Sequence, residues 1–400
     1  MNDRGRVRPV SLYLHFPFCV RKCRYCDFLS GPASDERREE YTGLLCREIS
    51  QRADGLFLSD QDQNESGYIV DTIFIGGGTP SLMTPEQLQR VMDSLRGHFR
   101  IAEDAEISME VNPGTADFEK LSAFRKAGVN RLSIGVQSLN DDELKLLGRI
   151  HTAQQAKEII SAARRAGFTN LNLDLMSALP GQTRESWSRT LREAASLQPE
   201  HISAYSLIIE EGTPFAVLYD AGKHKNLPSE EEDRAIYHYT GDFLAEKGYL
   251  RYEISNYAKE GYACRHNCGY WTGHEYLGLG LGASSDLGGE RFHNPSDLKE
   301  YREAVESGSE NSLRRERQRM TREDRMEEFM FLGLRMTGGV SERAFKERFG
   351  CTLHEVFGDV IRRHISQGVL LRTECGEDHR IALTEYGLDV ANHVMAEYLL

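Results

Sequence analysis

The sequence predicts an α/β protein, a partial six-stranded (β/α)6 barrel followed by a small C-terminal α+β unit of winged-helix-like arrangement. Three observations predict it. Across residues 11–206, short apolar runs alternate with longer stretches of helical periodicity, which is the pattern of βαβ units on a parallel sheet. From about Thr321 the apolar spacing becomes helical and closes in a hairpin pattern. The 400 residues are enough for a barrel of ordinary size and one smaller domain.

Strands are expected at 11–16, 70–75, 105–111, 131–136, 171–176 and 201–206, with helices between them. One helix, expected to end at His98, carries its own start signals. Thr84 is the cap, Pro85 takes the first helical position and Gln87 the capping-box position. The polar, acidic stretch 54–67 reads as an exposed loop. Right-handed crossovers place the loops that follow the strands on one rim, where barrel active sites form. Residues 1–206 are therefore read as the barrel, 207–319 as a middle extension and 320–400 as the C-terminal domain. Within the extension, 229–247 is helix-like, 278–289 is Gly-rich and 306–319 is a charged connector. In the last domain Phe329, Met330, Leu332, Phe345, Phe357 and Ile361 fall at helical spacing, then a hairpin spans 369–383 and a final helix begins near Thr384.

With 62 acidic against 49 basic residues the net charge is -13, which argues against non-specific nucleic-acid binding. The C-terminal 80 residues are themselves net acidic, so the winged-helix pattern there suits structure or protein docking better than a DNA footprint. Eight cysteines in a chain of this length are not a disulfide framework, and a reducing, cytoplasmic setting is expected. Arg4, Arg6 and Arg8 lead into no signal-like apolar segment, and no run of about 18 apolar residues predicts a transmembrane helix. Membrane contact would be peripheral. Cys46, Cys351 and Cys375 fall in apolar patterns and are expected to be buried.

The chemistry concentrates after the strands. Cys19, Cys23 and Cys26 form a CxxxCxxC triplet directly after the first strand. Three thiolates suit a [4Fe-4S] cluster with one iron left open, since such clusters commonly take four cysteines. A structural zinc site, which normally takes four ligands, and three unrelated buried thiols are the alternatives. The second strand ends in Gly76, Gly77, Gly78, Thr79 and Pro80, where missing side chains let backbone approach a ligand; a plain tight turn is the other reading. Glu110 and Asn112 end the third strand, Gln137 ends the fourth, Arg149 follows a helical turn and Asp174 lies on the fifth. Each alone would be an ordinary polar residue; together they ring one rim. Tyr25, beside Cys26, offers an aromatic or backbone contact.

The triplet resembles the radical S-adenosylmethionine (SAM) superfamily. The strings Arg131 to Ser138, Leu147 to His151, Asn172 to Met176, Leu179 to Thr183, His201 to Ser206 and Glu210 to Phe215 resemble the oxygen-independent coproporphyrinogen III oxidase group within it, most nearly its HemW heme-chaperone branch. The resemblance runs from about residue 10 to the C-terminus. It implies a [4Fe-4S] cluster on Cys19, Cys23 and Cys26, and SAM contacts at Tyr13, Gly77, Gly78, Thr79, Glu110, Gln137, Arg149 and Asp174, with Tyr25 near the adenine. Two departures set the chain apart from the oxidases. Phe28 stands where they carry a fourth cysteine, and only 18 residues precede Cys19 where they carry a long extension.

The run Cys264, Arg265, His266, Asn267, Cys268, Gly269, Tyr270, Trp271 matches the HNxxYW pattern of the chaperone branch. An imidazole can ligate heme iron, and Tyr270 and Trp271 can line a flat macrocycle, so His266 is the heme-binding candidate. Cys264 and Cys268 are weaker candidates as redox or metal ligands. Ser284 stands where relatives have a histidine.

The expectation is a heme chaperone that binds heme, the cluster and SAM and passes heme to a recipient hemoprotein such as a membrane-bound respiratory enzyme. No catalytic residue is assigned, nucleic acid is not a partner, and a homodimer is compatible with the exposed sites. The rival is a radical enzyme, either an oxygen-independent coproporphyrinogen III dehydrogenase or a methyltransferase.

Overall fold

The structure is a computed structural model that describes residues 7–56, 67–220 and 226–399. The barrel repeats begin with β1 (Arg8–Phe16), α1 (Asp35–Leu56), β2 (Tyr68–Gly77) and α2 (Pro85–His98). They continue with β3 (Ile101–Val111), α3 (Phe118–Ala127), β4 (Arg131–Gln137), α4 (Asp141–Leu147) and α5 (Ala153–Arg165). β5 (Leu171–Ser177), α6 (Arg184–Ser196) and β6 (His201–Ser206) complete them. Each expected strand is present, and half of the strand ends reach one to four residues further than expected. The α2 signals act as read: Thr84 accepts from the Gln87 backbone N–H at 3.2 Å, and the Gln87 side chain accepts from the Thr84 N–H at 3.0 Å. The expected loop at 54–67 lies largely outside the described residues, apart from the end of α1.

Residues 207–319 form α7 (Pro214–Asp220), α8 (Glu230–Glu246), β7 (Leu250–Glu253), β8 (Asn256–Ala258) and α9 (Arg265–Thr272). Then come β9 (Tyr276–Leu279), β10 (Ser284–Leu287), β11 (Glu290–His293), α10 (Leu298–Glu306) and β12 (Arg315–Arg319). Their strands join the barrel sheet. Among the described residues it has 12 strands in the order β12-β11-β10-β9-β1-β2-β3-β4-β5-β6-β8-β7, with β9 parallel to β1 and β8 antiparallel to β6. A buried carboxylate fastens one flank. Glu48 on α1 accepts from the Gly280 N–H at 2.7 Å, Asn294 Nδ2 at 2.6 Å and the Tyr301 hydroxyl at 2.6 Å. The segment expected as a charged connector is in its last part an edge strand, and Arg314 and Arg317 pair with Glu290 on its neighbour. Charge on an edge strand discourages further strand addition, which is why the segment reads as polar linker.

The C-terminal unit comprises α11 (Arg322–Gly333), β13 (Val340–Ser341), α12 (Glu342–Phe349), α13 (Leu353–Ser366), β14 (Leu370–Cys375), β15 (Asp378–Leu383), α14 (Glu385–Asp389) and α15 (Ala391–Ala396). It has a separate three-stranded sheet and its own apolar core around Met330, Phe345, Phe357, Ile361 and Tyr398. Three helices followed by a hairpin match the winged-helix-like expectation. The burial expected of three cysteines does not hold: Cys375 is exposed at the hairpin tip, and Cys46 and Cys351 are only half-buried. A tip residue alternates toward solvent however apolar its neighbours.

Candidate functional site

Alternation along the parallel strands makes the concave face of the sheet polar. On β4, Arg131, Ser133, Gly135 and Gln137 face a cavity while Leu132, Ile134 and Val136 join the apolar core. β5 adds Asn172, Asp174 and Met176, and β6 adds Ser203 and Tyr205. A closed eight-stranded barrel fills this space with branched apolar side chains. Here polar inward positions leave a cavity of about 580 Å³. The residues proposed for the cluster, for SAM and for heme iron line it: Tyr13, Cys19, Cys23, Tyr25, Cys26, Gly77, Gly78, Thr79, Glu110, Gln137, Arg149, Asp174 and His266.

At the rim, a hydrogen-bonded path links two of the cysteines. Thr79 Oγ1 donates to Cys19 Sγ at 3.5 Å and accepts from Asn112 Nδ2 at 2.8 Å. Asn112 Oδ1 accepts from Arg149 Nη2 at 2.5 Å, and Arg149 Nη1 donates to Cys23 Sγ at 3.6 Å. Arg149 also donates to the Gly135 carbonyl at 2.7 Å, and its buried Nε has no protein partner. The thiolate is the form of cysteine that binds iron. Burial pushes the Cys26 thiol up, against a Phe28 backbone hydrogen bond and the nearby Lys22 cation that pull it down. The residues fit the implied cluster: three unlinked thiols face one space, each free to take a different iron. Among the described residues, no three His, Cys, Asp or Glu side chains converge on a point as a single zinc ion would require.

The glycine turn is a cradle. At Gly77, φ is +114°, and a Cβ there would lie 2.7 Å from the His15 ring; at Gly78 it would lie 2.7 Å from the Phe18 carbonyl oxygen. Only glycine fits at either position. The Gly77 N–H donates to Glu110 Oε2 at 3.0 Å. Burial, with Asp174 adding repulsion, pushes the Glu110 carboxyl up to about 8. Burial also raises Asp174, opposed by hydrogen bonds from Ser133 and Asn172. At neutral pH Glu110 is therefore mostly protonated, and a cationic ligand beside it would draw the proton off. Gln137 holds φ +63°, an uncommon conformation for a residue with a side chain, and its Oε1 accepts from the Tyr205 hydroxyl at 3.0 Å.

The chain between β8 and β9 crosses the opposite end of the barrel, and α9 becomes the cavity floor. Glu106 on β3 caps it, accepting from the Arg265 N–H at 3.0 Å and the His266 N–H at 3.2 Å. His266 is 1% exposed, with Nδ1 hydrogen-bonded to Thr72 Oγ1 at 2.8 Å and Nε2 to the Tyr270 hydroxyl at 3.0 Å. Burial, with nearby Arg131, pushes its pKa down to about 3, so the ring is neutral. Both nitrogens are engaged, and iron at Nε2 would have to displace Tyr270. Trp271 does not line the cavity as expected; it lies under Arg335 of the C-terminal unit at 4.3 Å. Burial raises Cys264 to about 12 and Cys268 to about 11, which keeps both as thiols. Ser284 is exposed on β10, paired across from His293 and outside the cavity lining.

Sequence reasoning passed over the residues that hold the others in place. Arg131 lies at the floor, Ser133 and Asn172 fix Asp174 at 2.9 and 2.7 Å, and Tyr205 fixes Gln137. The available signal was the strand period: 131, 133, 135 and 137 on β4, and 172 and 174 on β5, share one face.

Residues 13–194 match the radical SAM superfamily, and residues 320–390 match the HemN C-terminal domain. The chain is 36% identical over 390 residues to a heme chaperone HemW of Bacillus subtilis (strain 168), covering 97% of this chain and 99% of that one. It is 42% identical over 282 residues, 70% of each chain, to a heme chaperone HemW of Escherichia coli (strain K12). It is 35% identical over 356 residues to the mitochondrial radical S-adenosyl methionine domain-containing protein 1 of Danio rerio, covering 87% and 78%. Among solved structures, the radical SAM enzyme coproporphyrinogen III oxidase (HemN) of Escherichia coli superposes with a TM-score of 0.82 at 26% identity, over 99% of this chain and 91% of that one.

Proposed function

The chain belongs to the HemW heme-chaperone family of the radical SAM superfamily, and from that membership we propose that it binds heme and delivers it to a recipient hemoprotein. Cys19, Cys23 and Cys26 would hold a [4Fe-4S] cluster. The Gly77 and Gly78 cradle, Thr79, Glu110, Gln137, Arg149, Asp174, Tyr13 and Tyr25 would hold SAM. Bound together, the two supply one-electron chemistry on SAM. The protein's own part is to expose backbone at the glycines, to set the Arg149 cation against Cys23, and to exchange a proton at Glu110 when a cation arrives. The sequence points to His266 as the side chain to face heme; it lies neutral at the cavity floor with both ring nitrogens hydrogen-bonded, to Thr72 and Tyr270.

One observation carries the choice of carrier over oxidase. The cysteine and glycine rim is complete, yet Phe28, 59% exposed at the cavity mouth, stands where the oxidases have a further thiol. We place the protein in the cytosol, with recipients that include membrane-bound respiratory enzymes; among the described residues no helix is long and apolar enough to cross a membrane. A second reading, coproporphyrinogen III oxidation, draws on the likeness to HemN over nearly the whole chain. An anaerobic experiment separates them: reconstitute the cluster, titrate heme, and assay coproporphyrinogen decarboxylation and deoxyadenosine release in the same samples. Saturable heme binding without decarboxylation is expected. Decarboxylation with stoichiometric deoxyadenosine and only weak heme binding would establish the oxidase instead.

A further inference from the structure

We propose that heme is seated on an apolar collar at the mouth of the cavity, above the cysteine loop, and not at the floor beside His266; this rests on the heme-carrier reading. Exposed large apolar side chains gather at this rim. Phe28, on the loop after β1, and Ile208, after β6, line the opening and are 59% and 69% exposed. Val20 and Ile150, 53% and 46% exposed, flank it across a small adjoining cleft. They come from three separate loops, so no single helix or strand period places them together. Exposed apolar groups that converge on a cavity mouth mark a surface meant to be covered.

The charges beside the collar select the occupant. Arg21 and Lys22 line the same opening, and Arg21 is held in place by its Nη2 donating to the Gly148 carbonyl at 2.8 Å. An apolar wall edged by cations suits a flat macrocycle carrying two carboxylates, with the apolar face on Phe28 and Ile208 and the carboxylates on the Arg21 and Lys22 flank. Asp27 and Glu210 also reach the opening, which keeps the carboxylates on that one flank.

The floor is a poor seat by comparison. His266 is 1% exposed and spends both nitrogens on Thr72 and Tyr270. A macrocycle reaching it would occupy the cavity of about 580 Å³ that the SAM-contacting residues also line, a volume in the range of a one-ligand pocket.

The test uses the full chain with its cluster reconstituted, titrated with hemin under anaerobic conditions and followed by Soret absorbance. Four proteins are compared: wild type, Phe28→Asp with Ile208→Asp, Arg21→Glu with Lys22→Glu, and His266→Ala. SAM affinity and cluster absorbance are measured in each as checks that the barrel is intact. The apolar pair is expected to weaken heme binding by about a hundredfold, roughly tenfold for each apolar side chain replaced. The charge pair should weaken it about tenfold and remove its salt dependence, and His266→Ala should leave it within about threefold. Wild-type affinity in the Phe28/Ile208 variant, or loss of binding in an intact His266→Ala protein, overturns the collar while the carrier reading stands. Unchanged heme binding with failed transfer to apomyoglobin would assign the collar to the recipient and likewise overturn it. If wild type itself binds no heme, the carrier reading falls and the collar with it.

Discussion

At the scale of single residues, the site depends on a few side chains that serve two neighbours each. Arg149 joins Asn112, the Gly135 carbonyl and Cys23 through a planar fork, a geometry that lysine cannot reproduce. Arg149→Lys is therefore expected to keep the fold but weaken SAM binding by about tenfold or more, read by isothermal titration. Glu110 gives a pH signature. The folded protein holds this proton up to about pH 8, whereas a free carboxyl loses it near 4.5. Between those values the folded form binds more protons than the unfolded chain, so stability falls as pH rises, by up to about 1.4 kcal/mol per pH unit. The SAM-free protein should lose thermal stability from pH 6 to 8 on this account, and Glu110→Gln should flatten that slope. An unchanged slope in the variant would show that Glu110 is ionised throughout.

At the scale of elements, much was legible because local signals act locally. The Thr84, Pro85 and Gln87 start of α2 is written within four residues, and its capping box forms. Thr84→Ala should cost about 1 kcal/mol in denaturant unfolding and leave SAM and heme affinities unchanged. The glycine turn was also legible, because backbone approach demands an absent side chain. Gly77→Ala places a Cβ against the His15 ring at φ +114°, so it should abolish SAM binding while cluster iron content persists. Other features were not legible, because they come from packing between distant segments. Cys264 to Trp271 reads as one binding motif, yet its residues divide between two neighbours. His266 and Tyr270 face the cavity, while Trp271 faces the C-terminal unit. Helical periodicity gives the faces of α9 but not what lies against each. Arg131 and Glu106 were similarly hidden, since a charged residue inside a strand shows its role only once α9 closes over the floor.

At the scale of the whole molecule, the cavity floor is held from below by the C-terminal unit. Arg335, just after α11, stacks on Trp271 of α9 and pairs with Glu253 at 3.3 Å. Glu253 is fully buried and also accepts from the Ser255 N–H at 2.8 Å and Asn256 Nδ2 at 2.6 Å. A carboxylate this buried stays folded only while its charge is compensated. Arg335→Met removes the cation and keeps the apolar stem over Trp271. Because Arg335 remains about one quarter exposed and Glu253 keeps two hydrogen bonds, the expected loss is about 2 kcal/mol, below that of a wholly buried pair. Adding Glu253→Gln removes the stranded charge, so the double variant should regain most of that stability in guanidinium unfolding. If the two losses simply add, Glu253 draws its compensation from elsewhere and the C-terminal unit does not brace the floor through this pair. If the double variant recovers, the net-acidic C-terminal unit is a brace that reaches the ligand cavity through one helix, a role that needs no nucleic acid.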